Sequence, residues 1–176
     1  TVLAVRHLIN TGCKRVAYLV PSYFNLEGDD RREGYLQVLN EAGLKPEFIE
    51  SFYSGRAAAA STVKEYVKKN GCPDGIFCFN DDHAIATYRA LKDIGIRVPD
   101  EVLIVGCDGI EDTEYLDCRI TTIVQPIAQM CKLAWTFLER RMADPTYPRQ
   151  ETILIPDLVV RDSSTPANGL IRRGKK

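Results

Sequence analysis

Apolar and polar positions along this chain switch repeatedly between two periods. Val2, Val5, Leu8 and Ile9 share one helical face, and Gly12 ends that stretch as a C-cap glycine does. Arg15 to Val20 is a short apolar run stopped by Pro21, the pattern of a strand buried on both faces. After a loop to Gly28, Asp29 and Asp30 suit the N-terminus of a helix carrying Tyr35, Val38, Leu39 and Ala42, closed by Gly43. The alternation continues with Glu47 to Tyr53 as strand and Ala57 to Asn70 as helix, with Ala60, Val63 and Val67 inward. Ile76 to Phe79 reads as strand, and Asp81 or Asp82 opens a helix that Gly95 ends. Val102 to Val105 and Ile120 to Val124 are further strands. Gln125-Pro126 starts a long helix to about Met142. Thr152 to Ile155 and Leu158 to Val160 read as short closing strands.

Strands alternating with helices of this length predict βαβ units, hence a parallel sheet with helices on both faces and right-handed crossovers. The expected fold class is α/β: a doubly wound, three-layer sandwich around a mainly parallel sheet. The 176 residues, 45% apolar and 27% charged, are those of a folded domain and exclude a disordered chain. Net charge is −1, and Arg172, Arg173, Lys175 and Lys176 all lie in the last twelve residues, so the body is acidic. A basic nucleic-acid face is therefore not expected. No apolar run reaches the roughly 18–20 residues that span a bilayer, and the first residues lack a secretory signal pattern. The six cysteines form no C-x-x-C and read as reduced thiols. The expected setting is the cytoplasm, without a membrane partner. The chain opens inside a helical period with no methionine, as expected of a segment of a longer protein.

In open α/β sheets, ligands bind beyond the carboxyl ends of the strands. That rule collects Asp29, Asp30, Arg31 and Arg32 after the first strand, and Tyr53, Ser54 and Arg56 after the second. It adds Asn80, Asp81 and Asp82, then Gly106, Cys107, Asp108 and Gly109, and finally Gln125. Carboxylates, amides, guanidiniums and an aromatic suit a neutral polyhydroxylated ligand: carboxylates accept from adjacent hydroxyls, Arg donates, and a ring covers the apolar sugar face. Each residue also has a plainer reading. Asp81 is a helix N-cap, Asn80 a loop group, Arg31 and Arg32 solvated cations, and Asp108-Gly109 a turn. Catalytic constellations are thin. His7 and His83 have no nucleophile beside them, no G-x-S-x-G occurs, and the cysteines lack metal-ligand spacing. The G-x-G of a dinucleotide site is missing, and the glycine-lysine frame at 169–176 lacks the Ser or Thr of a phosphate loop. No enzyme activity, cofactor or metal is expected.

The segments RHLINTGCKRVAYLV, RREGY, IFCFNDDHAIATYRALKDIGIRVPDEVLIVGCDGIED and EYLDCRITTIVQP resemble the effector-binding domain of LacI/GalR-family transcriptional regulators. That domain is related to periplasmic sugar-binding proteins of type I. The resemblance runs from residue 1 to LVVRDSS at 158–164. It implies that Arg31, in R-x-x-G-aromatic, is an effector-binding arginine, and that Asn80 and Asp81 are the N-D pair, with Asn80 facing the ligand. Asp108 matches a carboxylate that binds effector hydroxyls, with Cys107 in place of the usual aromatic before it. Gln125 matches a hinge-crossover residue near the ligand. The family's stacking aromatic falls near Ser54, where this chain offers Tyr53.

The resemblance also implies a domain plan. Residues 1–125 form the C-terminal subdomain of the effector-binding domain. Residues 126–146 hold a helix belonging to an N-terminal subdomain outside this sequence, 147–164 return to the C-terminal subdomain, and 165–176 are a basic, flexible tail. The expected function is sensing a small-molecule effector, a sugar, in a cleft between subdomains, coupled to operator DNA through an N-terminal module that this sequence does not hold. A homodimer through Ile85, Tyr88, Arg89, Tyr115 and Leu116 is expected. The alternative is a fragment of a periplasmic-type sugar-binding protein of a transporter or chemosensor.

Overall fold

The computed structural model describes residues 1–24, 28–52 and 55–166, and in it every expected strand but one forms. The strands are β1 (Val16–Pro21), β2 (Glu47–Ser51), β3 (Gly75–Cys78), β4 (Leu103–Asp108), β5 (Thr121–Val124) and β6 (Asp157–Val159). They form one sheet in the order β2-β1-β3-β4-β5-β6. All neighbours pair parallel except β5 and β6, where Val124 lies opposite Asp157. The helices are α1 (Val2–Asn10), α2 (Asp30–Glu41), α3 (Arg56–Asn70), α4 (Asp81–Asp93) and α5 (Ile127–Ala143). This is the α/β sandwich that the alternation predicts.

Period-two alternation assigns each strand residue to a face. Val16, Tyr18 and Val20 of β1, with Leu103, Val105 and Cys107 of β4, meet Ala4, Val5 and Leu8 of α1 and Tyr35, Val38 and Leu39 of α2. Ala17, Leu19, Ile76 and Ile104 point the other way, onto Ala59 and Val63 of α3 and Ala84, Ala90 and Leu91 of α4. Both faces of the central strands are therefore dry, which is why their sequences read as unbroken apolar runs. The Tyr35 hydroxyl is the polar junction of the first layer. It donates to the Val16 carbonyl at 2.8 Å, with the Glu47 carbonyl at 3.0 Å, and accepts from the Glu47 N–H at 2.8 Å.

The chain's return after α5 is tied down by hydroxyls. Ser163 Oγ donates to the Ile104 carbonyl at 2.7 Å and accepts from the Thr121 N–H at 2.8 Å, while Ser164 Oγ lies 2.6 Å from Thr121 Oγ1 and 2.7 Å from His7 Nε2. Burial holds the His7 pKa below its ordinary value. All six cysteines are free thiols, and burial pushes those of Cys13, Cys72 and Cys78 up to about 12. These three act as small hydrophobes rather than nucleophiles.

Several expectations need correction. Thr152 to Ile155 is not a strand: β6 already occupies the edge beside β5, and Ile153 and Ile155 are 86% and 82% exposed. The N-cap of α4 is Asn80, whose extended backbone and side-chain oxygen receive the His83 N–H, rather than Asp81 or Asp82. On α3 the buried positions are Ala59 and Val63, with Ala60 and Val67 half-buried behind them. β4 runs on past Val105 to Asp108, because Gly106 and Cys107 keep pairing with Thr122 and Ile123. Of the 165–176 tail, residues 167–176 lie outside the described residues.

Candidate functional site

The strand order reverses direction between β1 and β3, so the helices leaving these two neighbours cover opposite faces and leave a crevice at their carboxyl ends. Arg31, in the first turn of α2, reaches across that crevice. Its Nη1 donates to the Phe79 carbonyl at 2.9 Å, and its guanidinium lies 4.4 Å from the centre of the Phe79 ring. The helix is started by Asp29, whose carboxylate accepts from the Arg31 N–H at 2.9 Å. Arg31 is thus anchored at both backbone and side chain, with the Phe79 ring under its cation.

Asp108 ends β4 with a φ of 123°, a left-handed value that a non-glycine residue adopts under strain, and Gly109 continues it with a φ of 78°. The kink carries the Asp108 carboxylate to Gln125, whose Nε2 donates to Asp108 Oδ1 at 2.7 Å. Gln125 follows β5, the next strand, so this pair closes the crevice from the far side. Arg31, Cys107 and Gln125 share the wall of a cavity of about 470 Å³ with Ile123 and with Met130, Ala134 and Phe137 of α5. Polar groups at the strand ends form its floor, and apolar side chains of α5 form its roof.

The other expected residues sit differently. Asn80 lies at the same sheet edge, but its side-chain oxygen is engaged by the His83 N–H at 2.9 Å and by His83 Nδ1 at 2.6 Å. Burial lowers the His83 pKa, so the ring is neutral near neutral pH. Asp81 points inward, fully buried: Oδ1 accepts from Thr122 Oγ1 at 2.6 Å, and Oδ2 from the N–H groups of Gly109 at 2.7 Å and Ile110 at 2.9 Å. Burial raises its pKa, and these three hydrogen bonds pull it back. Tyr53 lies outside the described residues.

The structure therefore brings together Arg31, Asp108 and Gln125, places Asn80 beside them, and takes Asp81 away into the core. It adds Phe79, the platform under Arg31, and Cys107, a buried thiol on the cavity wall. Phe79 was findable, because it stands two residues after the buried Phe77 on the same strand face.

Of the expected dimer residues, Ile85 and Leu116 are half-buried, Tyr115 is 78% exposed, and Arg89 pairs with Asp93 at 2.6 Å. The Tyr88 hydroxyl donates to Asp117 at 2.6 Å, which fastens α4 to the 115–118 loop and makes one continuous surface of the two. α5 carries no buried residue, and Trp135, Leu138 and Met142 stand exposed on it.

Known proteins share this fold. Residues 5–164 match the periplasmic binding protein-like domain family. The ribose operon repressor of Haemophilus influenzae is 29% identical over 92% of this chain and 49% of its own length. Among solved structures, a LacI-family transcriptional regulator from Enterococcus faecium with bound ribose superposes with a TM-score of 0.82 at 25% identity, covering 94% of this chain and 61% of that one. One from Arthrobacter sp. FB24 in complex with lactose gives 0.82 at 25% identity, over 92% and 62%. The chain spans about half the length of the curated relatives it matches. Matched from residue 5 to residue 164, and superposing on these regulators, the chain belongs to the periplasmic binding protein-like domain family, in the form found in the effector-binding domains of LacI-type transcriptional regulators.

Proposed function

We propose that this chain is the effector-sensing part of a LacI-type regulator, and that its effector is a sugar. The carrying observation is that Arg31 and Gln125 line one cavity, with the Asp108 carboxylate hydrogen-bonded to Gln125 behind it. An acceptor-only carboxylate, a fixed guanidinium and an amide match the donors and acceptors of adjacent sugar hydroxyls. Ribose and lactose in the two related structures support the same ligand class. The apolar roof supplied by α5 and residues 152–156 faces what we take to be a second, upstream subdomain, which would cover Trp135, Leu138 and Met142 and complete the cleft. Effector binding then favours a closed cleft, and the change in subdomain angle alters the spacing of DNA-reading modules. The curated relatives are transcriptional repressors, which supports a cytoplasmic, non-catalytic role with operator DNA as the final partner.

The test is a titration of isotope-labelled chain with D-ribose and with lactose, read by NMR, which detects half a cleft binding at about millimolar Kd. We expect shifts confined to Arg31, Cys107, Asp108 and Gln125 with one of the two. Asp108→Gly removes the carboxylate and suits the positive φ, and weakens that binding about tenfold to hundredfold, as loss of charge-assisted hydrogen bonds does. Silence of all four residues toward both sugars would overturn the sugar reading.

We further propose a homodimer through the α4 face and the 115–118 loop, at Ile85, Tyr88, Arg89, Tyr115 and Leu116. Light scattering at tens of micromolar is expected to give twice the 19.8 kDa chain mass. Tyr115→Asp places a charge on the exposed ring position and returns the mass to that of one chain. A single-chain mass for the unmodified protein would defeat the proposal.

A further inference from the structure

We propose that Asp81 is a positioning residue for effector binding: it touches no effector, but its carboxylate holds the turn that aims Asp108 into the cleft. This rests on the reading of Asp108 as the effector-binding carboxylate.

Three elements converge on Asp81. It is the first residue of α4, its Oδ2 takes both the Gly109 and Ile110 N–H groups at 2.7 and 2.9 Å, and its Oδ1 takes the Thr122 hydroxyl of β5 at 2.6 Å. All three of these hydrogen-bond partners are donors, so an acceptor-only side chain fits there. The two captured amides directly follow Asp108, the single non-glycine residue with positive φ among those described. A backbone in that region reverts unless its surroundings over-determine it. Here the determinants are visible. The Asp81 carboxylate holds the amides after the kink, and Val124 lies 2.9–3.1 Å from where a Cβ of Gly109 would stand, so the turn is pressed against β5. Gly106 has no side chain because Asp81 Oδ1 occupies the space that one would take. The kink points Asp108 Oδ1 at Gln125 Nε2, 2.7 Å away. The inward carboxylate thus sets the direction of the outward one. Asp108 meets the ligand, and Asp81 decides where Asp108 is.

The experiment uses the 176-residue chain without ligand, so its outcome does not depend on whether a sugar binds. NMR follows the side-chain amide resonances of Gln125 and the exchange rates of the Gly109 and Ile110 amides in Asp81→Ala, Asp81→Asn and, as the reference for an unbonded Gln125, Asp108→Gly. In Asp81→Ala the Gln125 resonances move to their Asp108→Gly positions. The two amides exchange at least about tenfold faster, while amides of β1 and β3 change by less than about twofold. Asp81→Asn keeps a neutral oxygen for the two amides, a weaker acceptor than the anion, and restores the Gln125 resonances part of the way. Should Asp81→Ala not fold, the partial shift in Asp81→Asn decides alone. A Gln125 signal unmoved in the folded Asp81 variants, whatever the loss of stability, would overturn the proposal, since a purely structural Asp81 lowers stability without redirecting Asp108. Failure of the reading of Asp108 as the effector-binding carboxylate shows separately, as ribose or lactose binding that Asp108→Gly leaves intact.

Discussion

Replacing Gly106 with alanine is expected to cost about 3–5 kcal/mol of stability, lowering Tm by roughly 10 °C or more. A single methyl is a small addition, and in most of the sheet it would be absorbed. At Gly106 it meets Asp81 Oδ1 head-on and comes within 3.1 Å of the Ala84 Cβ. Neither neighbour is the free end of a flexible side chain. Asp81 is held by three hydrogen bonds, and Ala84 belongs to the buried face of α4. To admit the methyl, the carboxylate must leave its donors and become a buried, unpaired charge, or β4 must shift away from α4 in the middle of the sheet. Urea or thermal unfolding measures the loss, and a change below about 1 kcal/mol would show that the Asp81 pocket yields more easily than its packing indicates.

The second large effect is at Tyr35. Tyr35→Phe keeps the ring, which stacks against Tyr18 and Phe48 at centroid distances of 5.5 and 5.3 Å, and removes only the hydroxyl. That hydroxyl serves the Glu47 N–H and the Val16 and Glu47 carbonyls where β1 and β2 begin. Without it, backbone groups at the start of the edge strand stay out of reach of water with nothing to pair with, which costs about 2–3 kcal/mol. Tyr18→Phe is the matched control. Its hydroxyl is buried and has no hydrogen-bond partner among the described residues, so its removal is expected to change stability by no more than about 0.5 kcal/mol in the destabilising direction. Equal losses in the two variants would refute the assignment of the effect to the hydrogen bonds rather than the ring.

Much of this architecture is legible in the chain because the central strands are buried on both faces, and such strands write themselves as continuous apolar runs between turn residues. Arg31, Asp108 and Gln125 are among the residues that the strand-end rule collects. The direction of Asp81 does not follow from it. Asn80 and Asp81 are adjacent and equally good N-caps, and local propensity cannot say which of them caps α4. Distant groups settle it: Gly106 leaves a hole beside α4, and Thr122 with the 109–110 amides fills that hole with donors. Thr152 to Ile155 misleads for a related reason. Its composition suits a strand, but β6 takes the place beside β5, and Ile153 and Ile155 stand exposed outside the sheet. Tyr35 looks like an ordinary core aromatic in the sequence, since the task of its hydroxyl depends on two strand ends that meet only in three dimensions.

The pairing of Val124 with Asp157 has a mechanical consequence. The chain leaves the sheet at β5 and re-enters it at β6 beside the point of departure, so α5 and everything from 125 to 156 hang from one two-strand clamp. Residues at the base of such an excursion feel its torque most. Gln125 is the first residue outside the clamp, and it holds the Asp108 carboxylate. A tilt of α5 would load the backbone at Gln125, and with it the Gln125–Asp108 hydrogen bond. A load on that bond is returned along the same backbone to the helix, so the arm and the pocket act as the two ends of one short lever.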